Sequence, residues 1–294
     1  MAPLRIAILE ADRPLPETTA KYGSYGGVFS SLLHKAASST AEPSNLRISS
    51  LDTEGSTKGS TGTPASFSSE ETYFSQPSTP PELELDIKKY DISYERNFPK
   101  SLDEIDAILI TGSKHNAYDD TPWIVELVEY VQKVLFEQTR VKVLGICFGH
   151  QIIARALGVE VQRSPNWEAS VMPIKLSEDG KALFGVEELR IFQMHRDVVT
   201  SIPSVSPFPD NASTHILGSS DRCDIQGMYS PGHFISVQGH PEFTPDIVTE
   251  LLTTRKKAGV FTEEEYNDMM GRVKNEHDGV KIARRMLKFV GEGI

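Results

Sequence analysis

Val143-Leu144-Gly145-Ile146-Cys147-Phe148-Gly149-His150-Gln151 passes directly from an apolar, strand-like stretch into an apolar, helix-like one (Ile152, Ile153, Ala156, Leu157). A chain going from strand to helix across Gly-x-Cys-x-Gly must turn sharply, and the two glycines permit the backbone this requires. Such a turn lifts its middle side chain above the carboxyl edge of a sheet, where open α/β sheets hold their ligands. It also sets Cys147 at a helix N-terminus, whose unpaired amides and dipole favour a thiolate. A buried cysteine without partners is an inert small hydrophobe, so the rest of the chain has to decide between the two readings.

Upstream, the pattern that makes 141–146 a strand is repeated. Residues 4–9 and 105–110 are short apolar runs rich in β-branched residues, the second ending at Thr111-Gly112-Ser113. A helix is expected over about 28–37. Another follows Pro122, with Ile124, Leu127, Val128, Val131 and Leu135 at helical spacing. This alternation implies right-handed crossovers and a parallel sheet covered by helices on both faces. Downstream, 159–163, 170–176, 189–194, 216–219 and 234–238 read as shorter strands of an antiparallel ribbon and sheet edge. Two helices then close the chain: 245–257, and 262–289 with a Thr-Glu-Glu-Glu start resembling a capping box. In the latter, Tyr266, Met269, Met270 and Val273 form an apolar stripe expected to pack in the core.

The whole chain, 1–294, reads as one α/β domain broken by an insertion at 38–81. Ser and Thr dominate that stretch and apolar residues are too sparse to build a packed face, so disorder is expected. Ser78-Thr79-Pro80-Pro81 and the many hydroxyls make it either a phosphate-accepting regulatory segment or a surface loop lengthened at little entropic cost.

Thirty basic against forty-one acidic residues leave a net charge of −11, which disfavours nucleic acid and anionic membranes as partners. No apolar run approaches the ~18 residues of a membrane span. Two cysteines, Cys147 and Cys223, allow no disulfide framework and point to a cytoplasmic setting, with the nucleus an alternative. Cys223 lies in Ser-Asp-Arg-Cys-Asp-Ile, between carboxylates that would raise its pKa, and reads as structural. The sequence has no Walker loop, dinucleotide fingerprint, His-Glu-x-x-His or Cys-x-x-Cys, so neither a metal nor a cofactor is expected.

A thiol nucleophile needs a base, and the base needs a group to fix its tautomer. Gln238-Gly239-His240-Pro241-Glu242 supplies both. Proline holds the residue before it extended, and residues two apart on an extended chain share a face. Glu242 can therefore accept from one imidazole nitrogen of His240 while the other meets the thiol.

Gly-Ile-Cys-x-Gly-His-Gln and Gly-His-Pro-Glu, in that order, resemble the nucleophile and base signatures of the class I glutamine amidotransferase family. The resemblance covers nearly the whole chain apart from 38–81. It implies a flavodoxin-like sandwich in which Cys147 attacks a γ-glutamyl carbonyl, His240 moves the proton and Glu242 orients His240. It also implies an oxyanion hole made by the amides of Phe148 and Gly112. Gln151 matches the position that contacts the glutamyl group, and Met194, His195, Arg196 and Asp197 lie where the family binds its α-amino and α-carboxylate groups. His195 taken alone reads equally as a satisfied structural histidine.

The loop Thr-Gly-Ser departs from the Gly-Pro-Gly of amidotransferase subunits. With Asp-Asp-x-Pro-Trp-Ile, Asn166-Trp167-Glu168 and Gln193-Met194-His195-Arg196-Asp197, it looks like the free-standing branch of plant γ-glutamyl peptidases and similar fungal proteins. The expected activity is hydrolysis of a γ-glutamyl amide (glutathione, its conjugates or other γ-glutamyl peptides) through a Cys147 thioester, with a small γ-glutamyl molecule as substrate. The alternatives are a glutaminase subunit that passes ammonia to a separate synthase, and a binding module without turnover.

Overall fold

The computed structural model describes residues 2–38 and 83–292. The insertion expected over 38–81 lies outside these residues, apart from Ser38, the last residue of a helix. In chain order the elements are β1 (Leu4–Glu10), α1 (Pro16–Tyr22), α2 (Tyr25–Ser38), β2 (Leu85–Asp91), β3 (Ala107–Ile110), α3 (Pro122–Phe136), β4 (Lys142–Ile146), α4 (Phe148–Ala156), β5 (Val161–Leu176), α5 (Glu178–Phe184), β6 (Glu188–Val199), β7 (His215–Ser220), β8 (Cys223–Ser230), β9 (Phe234–Val237), α6 (Pro245–Lys257), α7 (Glu263–Arg272) and α8 (Gly279–Glu292).

The strands form one sheet in the order β2-β1-β3-β4-β9-β8-β7-β5-β6, parallel from β2 to β9 and antiparallel from β9 to β6. Side chains alternate across the parallel half, as a period of two requires. Ile6, Ile8 and Leu109 pack with Phe29 and Leu33 of α2 and with Ile282 and Met286 of α8. Ala7, Leu9, Ile108 and Ile110 face the other way, onto α3 and α4. All four residues of β3 are buried, as befits a central strand covered on both faces. Each such Ile or Leu contributes about 1.5–3 kcal/mol by leaving water. The α/β sandwich with a mostly parallel core is thus as expected.

Four boundaries differ from the sequence reading, each for a tertiary reason. The helix expected from residue 28 starts at Tyr25, because the Glu10 carboxylate at the end of β1 accepts from the Gly26 N–H at 2.6 Å and caps it. The segments 159–163 and 170–176 belong to one strand, β5, whose pairing with β6 shifts register between Arg163 and Glu168. Residues 234–238 are more than the edge of the antiparallel ribbon: β9 pairs antiparallel with β8 on one side. β9 pairs in parallel with β4 and is buried at every position, which makes it the last crossover strand and brings residues 238–242 beside the end of β4.

The single helix expected over 262–289 is two. Asp278 is drawn to the edge of β6: its N–H donates to the Arg190 carbonyl at 2.7 Å and its carboxylate accepts from the Arg190 N–H at 2.8 Å. α7 has already ended at Arg272, and the chain restarts after Asp278 as α8, whose Ile282 N–H bonds the Asp278 carbonyl at 3.0 Å. The capping box at Thr262 and Glu265 does form, and Met269 and Val273 are buried as expected.

Candidate active site

Cys147 occupies the turn between β4 and α4 with φ 52° and ψ −102°. Left-handed backbone at a residue with a Cβ costs on the order of 1–3 kcal/mol and persists only where its surroundings impose it. Here its N–H donates to the Val237 carbonyl at 2.9 Å, and its carbonyl accepts from the Gln151 N–H at 3.1 Å. Gly149 completes the turn by passing so close to the Ile110 carbonyl that no Cβ would fit. Cys147 is 6% exposed. The next residue, Phe148, is the first of α4, so its N–H has no acceptor within the helix.

β9 delivers the second component. The His240 N–H bonds the Phe192 carbonyl at 2.7 Å, and the imidazole stacks on Phe243 with centroids 3.9 Å apart and planes 4° from parallel. Nδ1–H donates to Glu242 Oε1 at 2.8 Å, both side chains being buried. An ionised carboxylate only accepts, so this bond places a proton on Nδ1 and leaves Nε2 for the thiol. Burial opposes charge on the ring, but the Glu242 carboxylate, followed by the Cys147 sulfur, outweighs it and pushes the His240 pKa up to about 10. His150, in the elbow motif itself, has no such partner. Burial and the nearby His195 push its pKa down to about 3 and keep it neutral.

Gly112 closes the group. A Cβ built there would lie 2.7 Å from His240 Cε1 and 3.7 Å from Cys147 Cβ, so its backbone packs against both. The structure therefore brings together Cys147, Phe148, Gly112, His240 and Glu242, which are scattered over more than a hundred positions of sequence.

The other anticipated positions are spread around this group. Gln151 is buried, and its amide donates to the Asp197 carbonyl and to Gln238 Oε1, both at 3.0 Å. Met194 lines a cavity of about 210 Å³ together with His240 and Gly112. His195 is turned elsewhere. Its Nδ1 meets the Asp197 carbonyl at 3.1 Å, and its Nε2 lies 3.0 Å from Glu168 Oε2, near enough for an ion pair although off line for a hydrogen bond. Glu168 also accepts from Ser220 at 2.6 Å and Gln226 at 2.7 Å. Burial alone would raise its pKa, and these partners, His195 foremost, bring it below the usual carboxylate range. Arg196 donates to the Ser164 carbonyl at 3.0 Å, while the Asp197 carboxylate holds Arg163 at 2.9 Å.

The cavity beside His240 also contains Tyr25 and Arg255, which the sequence reading did not single out. Tyr25 sits in a Gly-rich stretch just ahead of the expected helix, and Arg255 is one of three basic residues in the last turn of α6. Neither belongs to a local motif. Two larger clefts, of about 740 and 750 Å³, lie elsewhere and are not lined by Cys147, His240 or Glu242. Among the described residues, no group of three or more His, Cys, Asp or Glu is placed to hold a metal ion.

Comparison with known proteins shows which family and fold the chain shares. A glutamine amidotransferase-like protein of Schizosaccharomyces pombe is 32% identical over 291 residues, 98% of each chain. Gamma-glutamyl peptidase 3 of Arabidopsis thaliana is 38% identical over 160 residues, 51% of this chain and 60% of its own length. In fold, the crystal structure of a glutamine amidotransferase from Methylobacillus flagellatus superposes with a TM-score of 0.61 over 99% of this chain and 95% of that one, at 16% identity. The sequence profile of glutamine amidotransferase class-I matches residues 79–255, the span from just before β2 through both the Cys147 turn and the His240 segment. With that profile covering more than half of its length, the chain belongs to the class I glutamine amidotransferase family.

Proposed function

We propose that this chain hydrolyses a γ-glutamyl amide bond, with Cys147 as nucleophile, His240 as proton carrier and Glu242 as the group that orients His240. The observation that carries the reading is the hydrogen bond of 2.8 Å between His240 and Glu242, set against a cysteine held in a strained turn at a helix start. With the His240 pKa raised, the imidazolium stands ready beside the sulfur at neutral pH.

Cys147 Sγ adds to the γ-carbonyl carbon, forming a C–S bond, and the carbonyl electrons move onto oxygen. The N–H groups of Phe148 and Gly112 stabilise that oxyanion, a contribution usually worth several kcal/mol. As the intermediate collapses, the proton of the His240 imidazolium passes to the departing nitrogen and the C–N bond breaks. Water then attacks the thioester, giving its proton to His240, and release of the free γ-carboxylate returns the thiol. Gln151 and the segment His195, Arg196 and Asp197 frame the glutamyl end, while the neighbouring Met194 lines the cavity beside His240. Cys147 must remain a free thiol for this chemistry, so we place the protein in a reducing compartment, the cytoplasm.

The test is glutamate release by the purified chain from glutamine, glutathione and an S-substituted glutathione, without nucleotide or partner. We expect higher kcat/KM on the glutathione-type substrates. The family also supports a second reading, in which the chain is the glutaminase part of an amidotransferase. One solved structure alike in fold, at 15% identity and a TM-score of 0.55, is that of a GMP synthase component from Thermoplasma acidophilum. A preference for glutamine that grows when a synthase is added would establish that reading in place of ours.

A further inference from the structure

The cavity beside His240 contains a cation with no carboxylate partner among the described residues, its charge supported only by the Cys147 sulfur and Tyr25. Arg255 Nη1 is closed off from solvent and has no hydrogen-bond acceptor. Among the described residues its guanidinium forms no ion pair. The other cations lining the cavity are engaged, Arg13 with Asp91 at 2.8 Å and Lys114 with Asp12 at 3.0 Å. Arg255 is nonetheless held in place: its Cζ lies 4.7 Å from the centroid of the Trp167 ring, which is itself packed edge-on against Phe261 at 5.5 Å. Burial works against the Arg255 charge, so an empty site of this kind is destabilising. A half-buried guanidinium, held in place and with Nη1 shut off from water, is suited to a carboxylate, which it can bind in bidentate fashion.

Two features indicate which carboxylate. His240 lines this cavity, and in the proposed reaction His240 protonates the departing nitrogen, so the leaving group emerges on this side. The glutamyl end of the substrate is a zwitterion and needs an acceptor for its ammonium as well as a donor for its carboxylate. The carboxylate lining this cavity, Asp12, is already bound by Lys114 Nζ and by the backbone N–H groups of Arg13 at 2.8 Å and Lys114 at 2.9 Å. The cavity thus presents donors, Arg255 and the Tyr25 hydroxyl, to an anion. Its volume of about 210 Å³ is far more than departing ammonia needs.

We infer that Arg255 binds the carboxylate of the leaving group, so that the preferred substrate is a γ-glutamyl peptide with a free C-terminal carboxylate rather than glutamine. This rests on the γ-glutamyl hydrolysis proposed above. Arg255 then contributes to specificity, because a leaving group without a carboxylate leaves its buried Nη1 unpaired.

The experiment compares kcat/KM for glutathione with that for its C-terminal glycinamide, in the wild type and in Arg255→Gln and Arg255→Lys. A second arm uses glutathione amidated at the glutamyl α-carboxylate. Using a ratio of substrates within each variant removes any general effect on folding. The wild type is expected to favour the free acid by about 10- to 100-fold, the range of a charged hydrogen bond. That ratio should fall toward one in Arg255→Gln and be partly restored in Arg255→Lys. A wild-type ratio near one, or a ratio that Arg255→Gln leaves unchanged, would overturn the inference, as would dependence on Arg255 that follows the α-carboxylate. Cleavage of no γ-glutamyl substrate by the wild type would instead remove the underlying hydrolase reading.

Discussion

The two cysteines are buried to similar degrees, Cys147 at 6% and Cys223 at 2% exposure, yet they differ in backbone conformation and in the charged groups around them. Cys223 opens β8 on ordinary strand backbone and donates its S–H to the Ile225 carbonyl at 3.4 Å. Burial, with the charges of Glu168 and Asp224 adding to it, pushes its pKa up to about 12. Cys147 sits on left-handed backbone at the start of a helix, facing an imidazole that Glu242 keeps protonated. Burial alone therefore does not define a cysteine's role. What decides is whether the groups around the sulfur favour its proton or its charge.

The contrast is broken most directly by removing each thiol. Cys147→Ala should lower kcat by about ten-thousandfold or more with the fold intact, because the glycines and backbone bonds, rather than the thiol, shape the turn. Cys223→Ala should change kcat by less than about threefold and cost roughly 1 kcal/mol of stability. Steady-state rates with thermal melts measure both. A Cys147→Ala variant retaining activity near wild type would end the mechanism.

Alkylation sharpens the same comparison in the native protein. With iodoacetamide at neutral pH, peptide mapping should find Cys147 modified at least about a hundredfold faster than Cys223, whose thiolate is scarce. Equal rates would mean that the two environments do not differ as described.

Smaller effects test what surrounds Cys147. Gly112→Ala places a Cβ 2.7 Å from His240 Cε1, so the ring must shift, and kcat/KM should fall about 10- to 100-fold with a modest loss of stability. Glu242→Gln should cost less, about tenfold, since an amide still orients the ring but no longer supports its charge. It also has a pH signature. The folded His240 pKa lies above its unfolded value of about 6.5, so its contribution to stability is complete below that pH and disappears as pH rises through about 10. Without Glu242 the folded pKa drops. The alkaline limb of kcat/KM should then move to lower pH, and the difference in Tm between wild type and variant should shrink from pH 6 to pH 10. An alkaline limb that does not move would contradict the role given to Glu242.

How far the sequence could be read depended on whether the cause of a feature was local. The Cys147 turn was legible because strand, glycines and helix are contiguous, and the facing of His240 and Glu242 was legible because proline imposes it. β2 went unassigned because it is an edge strand with charged positions, Asp86 half-buried and Lys88 and Lys89 exposed, and β8 because the buried Gln226 interrupts its apolar character. The start of α8 is fixed by Asp278 reaching Arg190, 88 positions away in sequence, where helical periodicity has nothing to report. Glu168 and His195 meet across β5 and β6, and Arg255 approaches His240 through the packing of α6. No pattern within a single window encodes such contacts.

The central claim is that Cys147 carries the γ-glutamyl group as a thioester. Hydroxylamine tests it by competing with water for that intermediate, giving a γ-glutamyl hydroxamate alongside glutamate. If one thioester lies on the path from every substrate, the ratio of hydroxamate to glutamate at a fixed hydroxylamine concentration must be the same whether the leaving group is ammonia, a peptide or an S-substituted peptide. We expect that common ratio, with no hydroxamate from Cys147→Ala. A ratio that changes with the leaving group, or hydroxamate formed without Cys147, would contradict the account.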